Sequence, residues 1–305
     1  MTDKMNAFID QIGLPGAFLG LPAEFAEYEN SKIVLLPVPF DLTTSYGKGS
    51  DNGPKAIVEA SRQLEVWDEE TKSEVYRLGI HTAEPVEAAT SEAMLRDTER
   101  RVSECLDAGK FVFVIGGEHS ITPAPVRAHA KKFGNIGVLQ IDAHPDLRQT
   151  FMGSPLSHAC AMARVLDCPQ VSTIAAVGIR SVGPEEIDQT GRVKTWYAHD
   201  LRKSSTWISE VVKALPQKVY ITVDLDGFDP SIMPSTGTPQ PGGLSWYQGL
   251  DLLSTVIRER EVIGMDMVEL APVHGVHAPD FMAAKLLYRM LSYKFGNQAL
   301  VANPT

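Results

Sequence analysis

The sequence predicts a three-layer α/β/α sandwich built on a mostly parallel central sheet, and three observations lead there. Short β-branched runs alternate with amphipathic helical stretches along nearly the whole chain. The strand candidates read as continuous apolar runs, the pattern of strands covered on both faces. Three of those runs end in dense clusters of metal-type ligands, GGEHS, DAHPD and DLDGFDP. In such a sheet, ligands belong at the carboxyl ends of strands, where loops converge on a crevice.

In chain order, the first strand is KIVLLPV (Lys32 to Val38), followed by a helix over Ser91 to Ala108. Strand FVFVIG (Phe111 to Gly116) leads to a helix over Pro123 to Lys132 and then to strand IGVLQID (Ile136 to Asp142). Strands STIAAVGI (Ser172 to Ile179) and VKTWYA (Val193 to Ala198) precede a helix over Ser205 to Leu215. The last repeats are strand VYITVDL (Val219 to Leu225), helix Trp246 to Glu259, strand VIGMDMVEL (Val262 to Leu270) and helix Phe281 to Lys294. The crossovers are long enough for parallel pairing. No linker rich in Gly, Ser or Pro divides the chain, and no internal repeat is present, so residues 1–305 are read as one domain, with residues 1–30 as an N-terminal extension packing on it.

Composition narrows the function classes. With 305 residues, 44% hydrophobic and 22% charged, the chain has the makeup of a soluble globular protein. No stretch reaches the roughly 18 uninterrupted apolar residues of a membrane span. Asp3, Lys4 and Asp10 interrupt the apolar residues at the N-terminus, so the continuous core of a secretory signal is missing and a cytoplasmic location is expected. Cys105, Cys160 and Cys168 form neither a CxxC pair nor an even disulfide set, which fits a reducing compartment. A net charge of -10 argues against nucleic acid as a partner and is compatible with a cationic substrate.

The ligand clusters carry the chemistry. Asp142, His144 and Asp146 stand two residues apart, and in an extended strand such side chains point the same way; Asp224 and Asp226 repeat the spacing. Taken singly, each cluster has a plainer reading: His119 as a loop residue before a capped helix, DAHPD and DLDGFDP as turns. Taken together they place two histidines and four carboxylates in one apolar core, which is costly unless cations neutralise the charge. Carboxylates dominate and thiolates are absent, a set that suits Mn²⁺ or a comparable first-row ion better than structural zinc, with Co²⁺ and Ni²⁺ sharing the same ligands. Six ligands are too many for one catalytic ion with an open position. Two ions bridged by shared carboxylates use them efficiently, and a pair about 3.5–4 Å apart brings the pKa of a water between them from about 15.7 toward neutrality.

GGEHS, DAHPD, the following SHA with His158, DLDGFDP with STGTPQPGG, and DMVEL occur in the order and spacing of the ureohydrolases. The chain resembles that family, the arginases and agmatinases, from about Ile33 to Tyr293. The segment Val38 to Ser61 looks like the substrate-side loop of the agmatinase branch, and Leu147 to Ala159 is more like short prokaryotic agmatinases than arginases. The resemblance implies an arginase-like sheet of roughly eight strands and two Mn²⁺ ions per chain. One ion would be held by His119, Asp142, Asp146 and Asp224, the other by Asp142, His144, Asp224 and Asp226. A hydroxide between them would attack a guanidinium carbon, giving urea and an amine. Glu269 matches the carboxylate that grips the guanidinium, and His158 the histidine that shuttles a proton.

The implied enzyme is therefore an agmatinase acting on a small cationic guanidino substrate and assembling as a homotrimer or homohexamer. Guanidinobutyrate, guanidine or arginine are the alternatives within the class, and a metal-dependent deacetylase is the alternative outside it. No polar stretch after Asp146 matches the groups that would receive an α-carboxylate. His274 and His277 are read as loop residues near the substrate entrance, and Pro230 to Leu244, with four prolines and three glycines, as a rigid loop walling the cavity. Three residues depart from the family pattern: Glu118 stands where relatives often have Asp, Ser235 where the loop often has Gly, which allows positive φ more readily so that serine can alter the loop backbone, and Ala159, by position against the substrate pocket, where many have Gly.

Overall fold

The computed structural model describes residues 16–187 and 191–300, and among them eight strands pair into one sheet. The strands are β1 (Ile33–Val38), β2 (Ile80–Thr82), β3 (Phe111–Gly116), β4 (Ile136–Ile141), β5 (Val171–Ile179), β6 (Val193–Tyr197), β7 (Lys218–Asp224) and β8 (Glu261–Val268). Their order is β2-β1-β3-β8-β7-β4-β5-β6, and every pairing is parallel.

Successive strand residues face opposite layers. Leu35, Phe113, Ile141 and Ile221 join a core under the helices Gly53–Ser61, Trp207–Ala214, Trp246–Glu259 and Ala278–Phe295. Val34, Val112 and Val138 enter the clusters under Ser91–Asp107 and Pro123–Phe133 on the other face. Each such fully buried Val, Leu, Ile or Phe contributes roughly 1.5–3 kcal/mol of transfer free energy, which is why these runs carry no polar alternation. The three-layer sandwich expected from the sequence is the observed architecture.

Several elements differ from the sequence expectation, among them short helices at Ala23–Ala26, Ala161–Leu166 and Ala198–Leu201. β2 was not foreseen, because three residues at the sheet edge, pairing only with β1, make no apolar run. Helix Gly53–Ser61 rises inside the segment taken as a substrate-side loop, with Pro54 in its first turn, where a missing N–H costs nothing. The helix expected from Phe281 begins at Ala278, again with a proline, Pro279, in the first turn.

Strands β3 and β4 are consecutive in sequence but are separated in the sheet by β8 and β7. The chain direction thus splits around four central strands, and the crevice lies at their carboxyl ends. Of the extension expected over residues 1–30, residues 1–15 lie outside the described residues. From Gly16 onward, Phe18, Leu19 and Leu21 are buried in the large core, and the Leu19 N–H donates to Ser61 Oγ at 2.7 Å. Among the described residues no helix is long and apolar enough to cross a membrane.

Candidate metal centre

The ladder register explains why the aspartates meet. Ile141 pairs with Val223, so Asp142 leaves β4 at the level where Asp224 ends β7. β3 delivers His119 through Gly117, which must be glycine because a Cβ there would stand 2.1 Å from the Phe40 carbonyl. The Gly117 carbonyl in turn accepts the Glu269 N–H just beyond β8, at 2.8 Å. Four adjacent strands therefore place the sequence-derived candidates at one edge. His119, His144, Asp146, His158, Asp224, Asp226 and Glu269 line a single cavity of about 260 Å³, with Asp142 fully buried behind them.

Within the cluster, His119 Nδ1 lies 3.1 Å from Asp142 Oδ2, 3.1 Å from Asp146 Oδ2 and 3.3 Å from Asp224 Oδ2. It makes a well-aligned hydrogen bond with none of them. His144 Nδ1 is 3.1 Å from Asp226 Oδ2 and 3.7 Å from Asp142 Oδ1. Two triads, His119–Asp142–Asp224 and Asp142–His144–Asp226, each keep their ligand atoms within 4.8 Å of one another, and Asp142 belongs to both. Asp146 and Glu269 adopt left-handed backbone, φ 53° and φ 67°. For non-glycine residues that conformation costs on the order of 1–3 kcal/mol and persists where surrounding structure enforces it.

A row of polar side chains supports the cluster from below. Gln140, Thr222 and Asp266 are register partners across β4, β7 and β8. Gln140 Nε2 donates to Asp142 Oδ2 at 2.9 Å, and Thr222 Oγ1 lies 2.9 Å from His119 Nε2. Asp266 stands beside Thr222 in register and its Oδ2 accepts from the Tyr220 hydroxyl at 2.9 Å. Sequence reading missed this row, although its signal was present: single polar residues in otherwise apolar strands, two positions before a ligand or, for Asp266, three before Glu269.

The electrostatics show what the cluster calls for. Burial, with Asp226 and Asp142 beside it, pushes the Asp224 carboxyl well above the usual range; burial and the Asp142 charge raise Asp146 to about 6. Burial alone would lower His144, yet the Asp142 and Asp226 carboxylates beside it carry it up to about 12. His119 is raised in the same way by Asp142, Asp146 and Asp224. Four carboxylates this close call for positive charge between them, which protons or metal ions can supply. The unpaired His119 Nδ1, the shared Asp142 and the all-imidazole-and-carboxylate donor set fit first-row divalent ions.

Around this core, Glu269 Oε1 accepts the His119 N–H at 2.7 Å, and Glu269 Oε2 faces Gly237 on the cavity wall. The His158 N–H donates to Thr43 Oγ1 at 2.9 Å, and Thr43 is fixed by Glu118, which accepts its N–H and its hydroxyl at 2.6 Å each. Burial holds the His158 imidazole below its ordinary pKa despite nearby Glu118. The Pro230 to Leu244 loop contributes Gly237 and Thr238 to the wall, and Thr238 Oγ1 bonds Asp226 Oδ2 at 3.3 Å. Ser235 is buried without positive φ, so the loop here does not need glycine's conformational freedom; its hydroxyl has no hydrogen-bond partner among the described residues. His274 and His277 are exposed loop residues and do not line the cavity. Arg148, Phe151 and Glu186, unforeseen from sequence, form part of its outer wall.

With this geometry in hand, comparison with known proteins is decisive. The sequence model of the arginase family matches residues 31–292. The chain belongs to the arginase family. It is 40% identical over 296 residues to the N(1)-aminopropylagmatine ureohydrolase of Synechocystis sp., covering 92% of this chain and 96% of that protein. To the agmatinase of Bacillus anthracis it is 34% identical over 271 residues, 87% of this chain and 92% of that one. The solved structure of the agmatine ureohydrolase of Thermoplasma volcanium is similar with a TM-score of 0.83 at 30% identity, covering 96% of this chain and 98% of that chain. This arginase-family ureohydrolase is a hydrolase of amidino C–N bonds.

Proposed function

We propose that the protein hydrolyses a linear guanidino polyamine of the agmatine type, with N(1)-aminopropylagmatine preferred over agmatine, to urea and the corresponding amine. The observation that carries the reading is the convergence of five metal-type ligands and Glu269 on one cavity, with the sixth ligand, Asp142, buried directly behind them and shared by both triads. His119, Asp142, Asp146 and Asp224 would hold one Mn²⁺, and Asp142, His144, Asp224 and Asp226 the other. Such a pair supplies Lewis acidity and an activated water at neutral pH.

The chain's own residues do the rest. Glu269 keeps one oxygen on the His119 N–H and turns the other to the cavity, so a guanidinium docks on a carboxylate that cannot rotate away. Burial raises the Glu269 carboxyl well above its usual range, and a bound guanidinium favours the charged form again. Burial of the His158 imidazole disfavours its charged form, so it can take a proton released by the attacking water and hand it to the amine nitrogen as the bond from that nitrogen to carbon breaks. The amidino carbon leaves as urea. From N(1)-aminopropylagmatine the remaining triamine is spermidine; from agmatine the remaining diamine is putrescine.

The longer substrate is favoured by the relatives, since the matches at 40% and 41% identity carry the aminopropylagmatine name and the 34% match carries the agmatinase name. The test is steady-state urea release by the Mn²⁺-loaded protein from N(1)-aminopropylagmatine, agmatine, arginine, guanidinobutyrate and guanidine. We expect kcat/KM to fall in that order from the first to the second and to be negligible for arginine. Urea from none of the five would overturn the reading.

A further inference from the structure

Arg180 directly follows β5, is partly buried and does not line the cavity. Its Nη1 donates to the carbonyls of Gly178 at 2.9 Å and Gly227 at 3.4 Å. Its Nη2 donates to those of Asp226 at 2.5 Å, Gln240 at 2.8 Å and Phe228 at 3.2 Å, and Nε reaches Gln240 as well, at 3.2 Å. Five main-chain carbonyls thus share one guanidinium, and none of these contacts is to a carboxylate. Such a fan needs the planar fork of arginine. A lysine ammonium, with its three donors on one nitrogen, cannot span it.

These carbonyls belong to the segments from which the metal centre is built. Asp226 is a candidate ligand, Phe228 precedes the Pro230 to Leu244 loop and Gln240 lies on its returning limb. The base of that loop is closed by Asp229 Oδ2, which accepts the Gly242 and Gly243 N–H groups at 2.8 and 3.2 Å, and by the Leu244 N–H, which donates to Gly227 at 3.0 Å. The main chain of Arg180 ties in a second ligand segment. Its N–H donates to the carbonyl of Ala143, between Asp142 and His144, at 2.9 Å, and the Ala143 N–H donates to Asp226 Oδ1 at 3.0 Å. Two glycines make the arrangement possible. Gly178 takes φ 95° where the register shifts between β5 and β6, and a Cβ on Gly243 would stand 2.7 Å from Arg180 Nη2.

We propose that Arg180 is a positioning residue that clamps the DAHPD and DLDGFDP segments together and seals the base of the Pro230 to Leu244 loop. It thereby fixes Asp226 for the ion shared with His144 and holds Gly237 and Thr238 against the cavity. The inference rests on the two-ion reading above and adds a residue outside the ligand set. Thr238 Oγ1 bonds Asp226 Oδ2 at 3.3 Å and Gly237 lies beside Glu269 Oε2, so a shift at the base of the loop reaches both the metal side and the guanidinium side. The plainer role is general scaffolding, in which the bonds of Arg180 stabilise the whole fold and favour neither one ion nor one loop.

Two variants separate these roles. Arg180→Lys keeps the charge and loses the fork, and Arg180→Met loses both while keeping an unbranched side chain. Calorimetric Mn²⁺ titration of the chelator-treated full chain reads the ions, and hydrogen exchange of the metal-free protein reads the loop. In both variants we expect one of the two Mn²⁺ affinities to fall about 10–100-fold and the other to be retained, the loss seen when a group that orients a ligand is removed. Exchange at the Gly242, Gly243 and Leu244 amides should quicken about tenfold or more, while the amides of β1 and β3 keep their protection. Wild-type affinity for both ions, equal weakening of both, or faster exchange spread evenly over the sheet overturns the proposal. Full recovery of both readouts by lysine overturns it too, since charge alone would then suffice. If wild-type protein binds fewer than two Mn²⁺ per chain, the two-ion reading fails, and loop exchange in the metal-free protein still decides on the clamp.

Discussion

Glu269 Oε1 accepts the backbone N–H of His119 at 2.7 Å, tying the loop after β8 to the loop after β3. The contact joins the carboxylate offered to the guanidinium to the backbone of a candidate metal ligand, so substrate grip and metal position are set by one hydrogen bond. Glu269→Gln keeps an acceptor for that N–H and removes the charge. We expect kcat/KM to drop roughly 100-fold, about 3 kcal/mol of lost charge pairing, with metal content retained. Steady-state kinetics with parallel metal analysis check it, and a metal-depleted variant would show that Glu269 acts mainly on the metal side.

The His158 N–H donates to Thr43 Oγ1, and its Nδ1 lies 3.3 Å from Thr43 Oγ1 and from Ser157 Oγ, so these hydrogen bonds go to hydroxyls and not to candidate metal ligands. His158→Ala should lower kcat by roughly 10²–10⁴ while both ions stay bound, as expected for a lost proton-transfer group. Added imidazole should restore part of the rate. Loss of metal on substitution would place His158 among the ligands instead.

The polar row under the cluster fixes imidazole orientation. With Nδ1 turned to a metal, His119 donates from Nε2 to Thr222 Oγ1, and Asp266 is the register partner of Thr222 on β8. Thr222→Val keeps the shape and removes the acceptor, and metal affinity should fall about 10–100-fold. Calorimetric Mn²⁺ titration measures this directly. An unchanged affinity would mean that Thr222 only fills space.

His129 predicts an acid sensitivity away from the site. It is fully buried against Tyr220, its Nδ1 donates to the Pro125 carbonyl at 2.7 Å, and burial lowers its pKa from 6.5 to about 4. The native state refuses a proton that the unfolded chain accepts below about pH 6.5, so stability falls as pH drops from 6.5 toward 4 and is unaffected above that window. The full loss is roughly 3 kcal/mol. Urea unfolding of wild type and His129→Gln at pH 7.5 and pH 4.5 should show a shallower acid loss in the variant; parallel losses would acquit His129.

Much of this was legible in the sequence for a physical reason. Strands such as Phe111–Gly116 and Lys218–Asp224 are covered on both faces and so are nearly pure apolar runs, which made the ligands at their ends stand out. β2 was invisible because a three-residue edge strand takes its stability from β1 and not from its own pattern. Thr222 and Gln140 carried a readable signal, polar residues inside apolar runs, but their partners are set by register, which periodicity does not give. Arg148 and Glu186 come from separate segments and meet only when the loops after β4 and β5 fold over one crevice. Charge alone could not have paired them.

The most direct measurement is a metal titration read by product. Chelator-treated protein receives Mn²⁺ stepwise while urea release from N(1)-aminopropylagmatine is followed. A two-ion site sharing Asp142 and Asp224 requires no urea without metal and a rate that reaches its plateau at two equivalents per chain. Urea release that survives chelation, or a plateau at one equivalent, would contradict it.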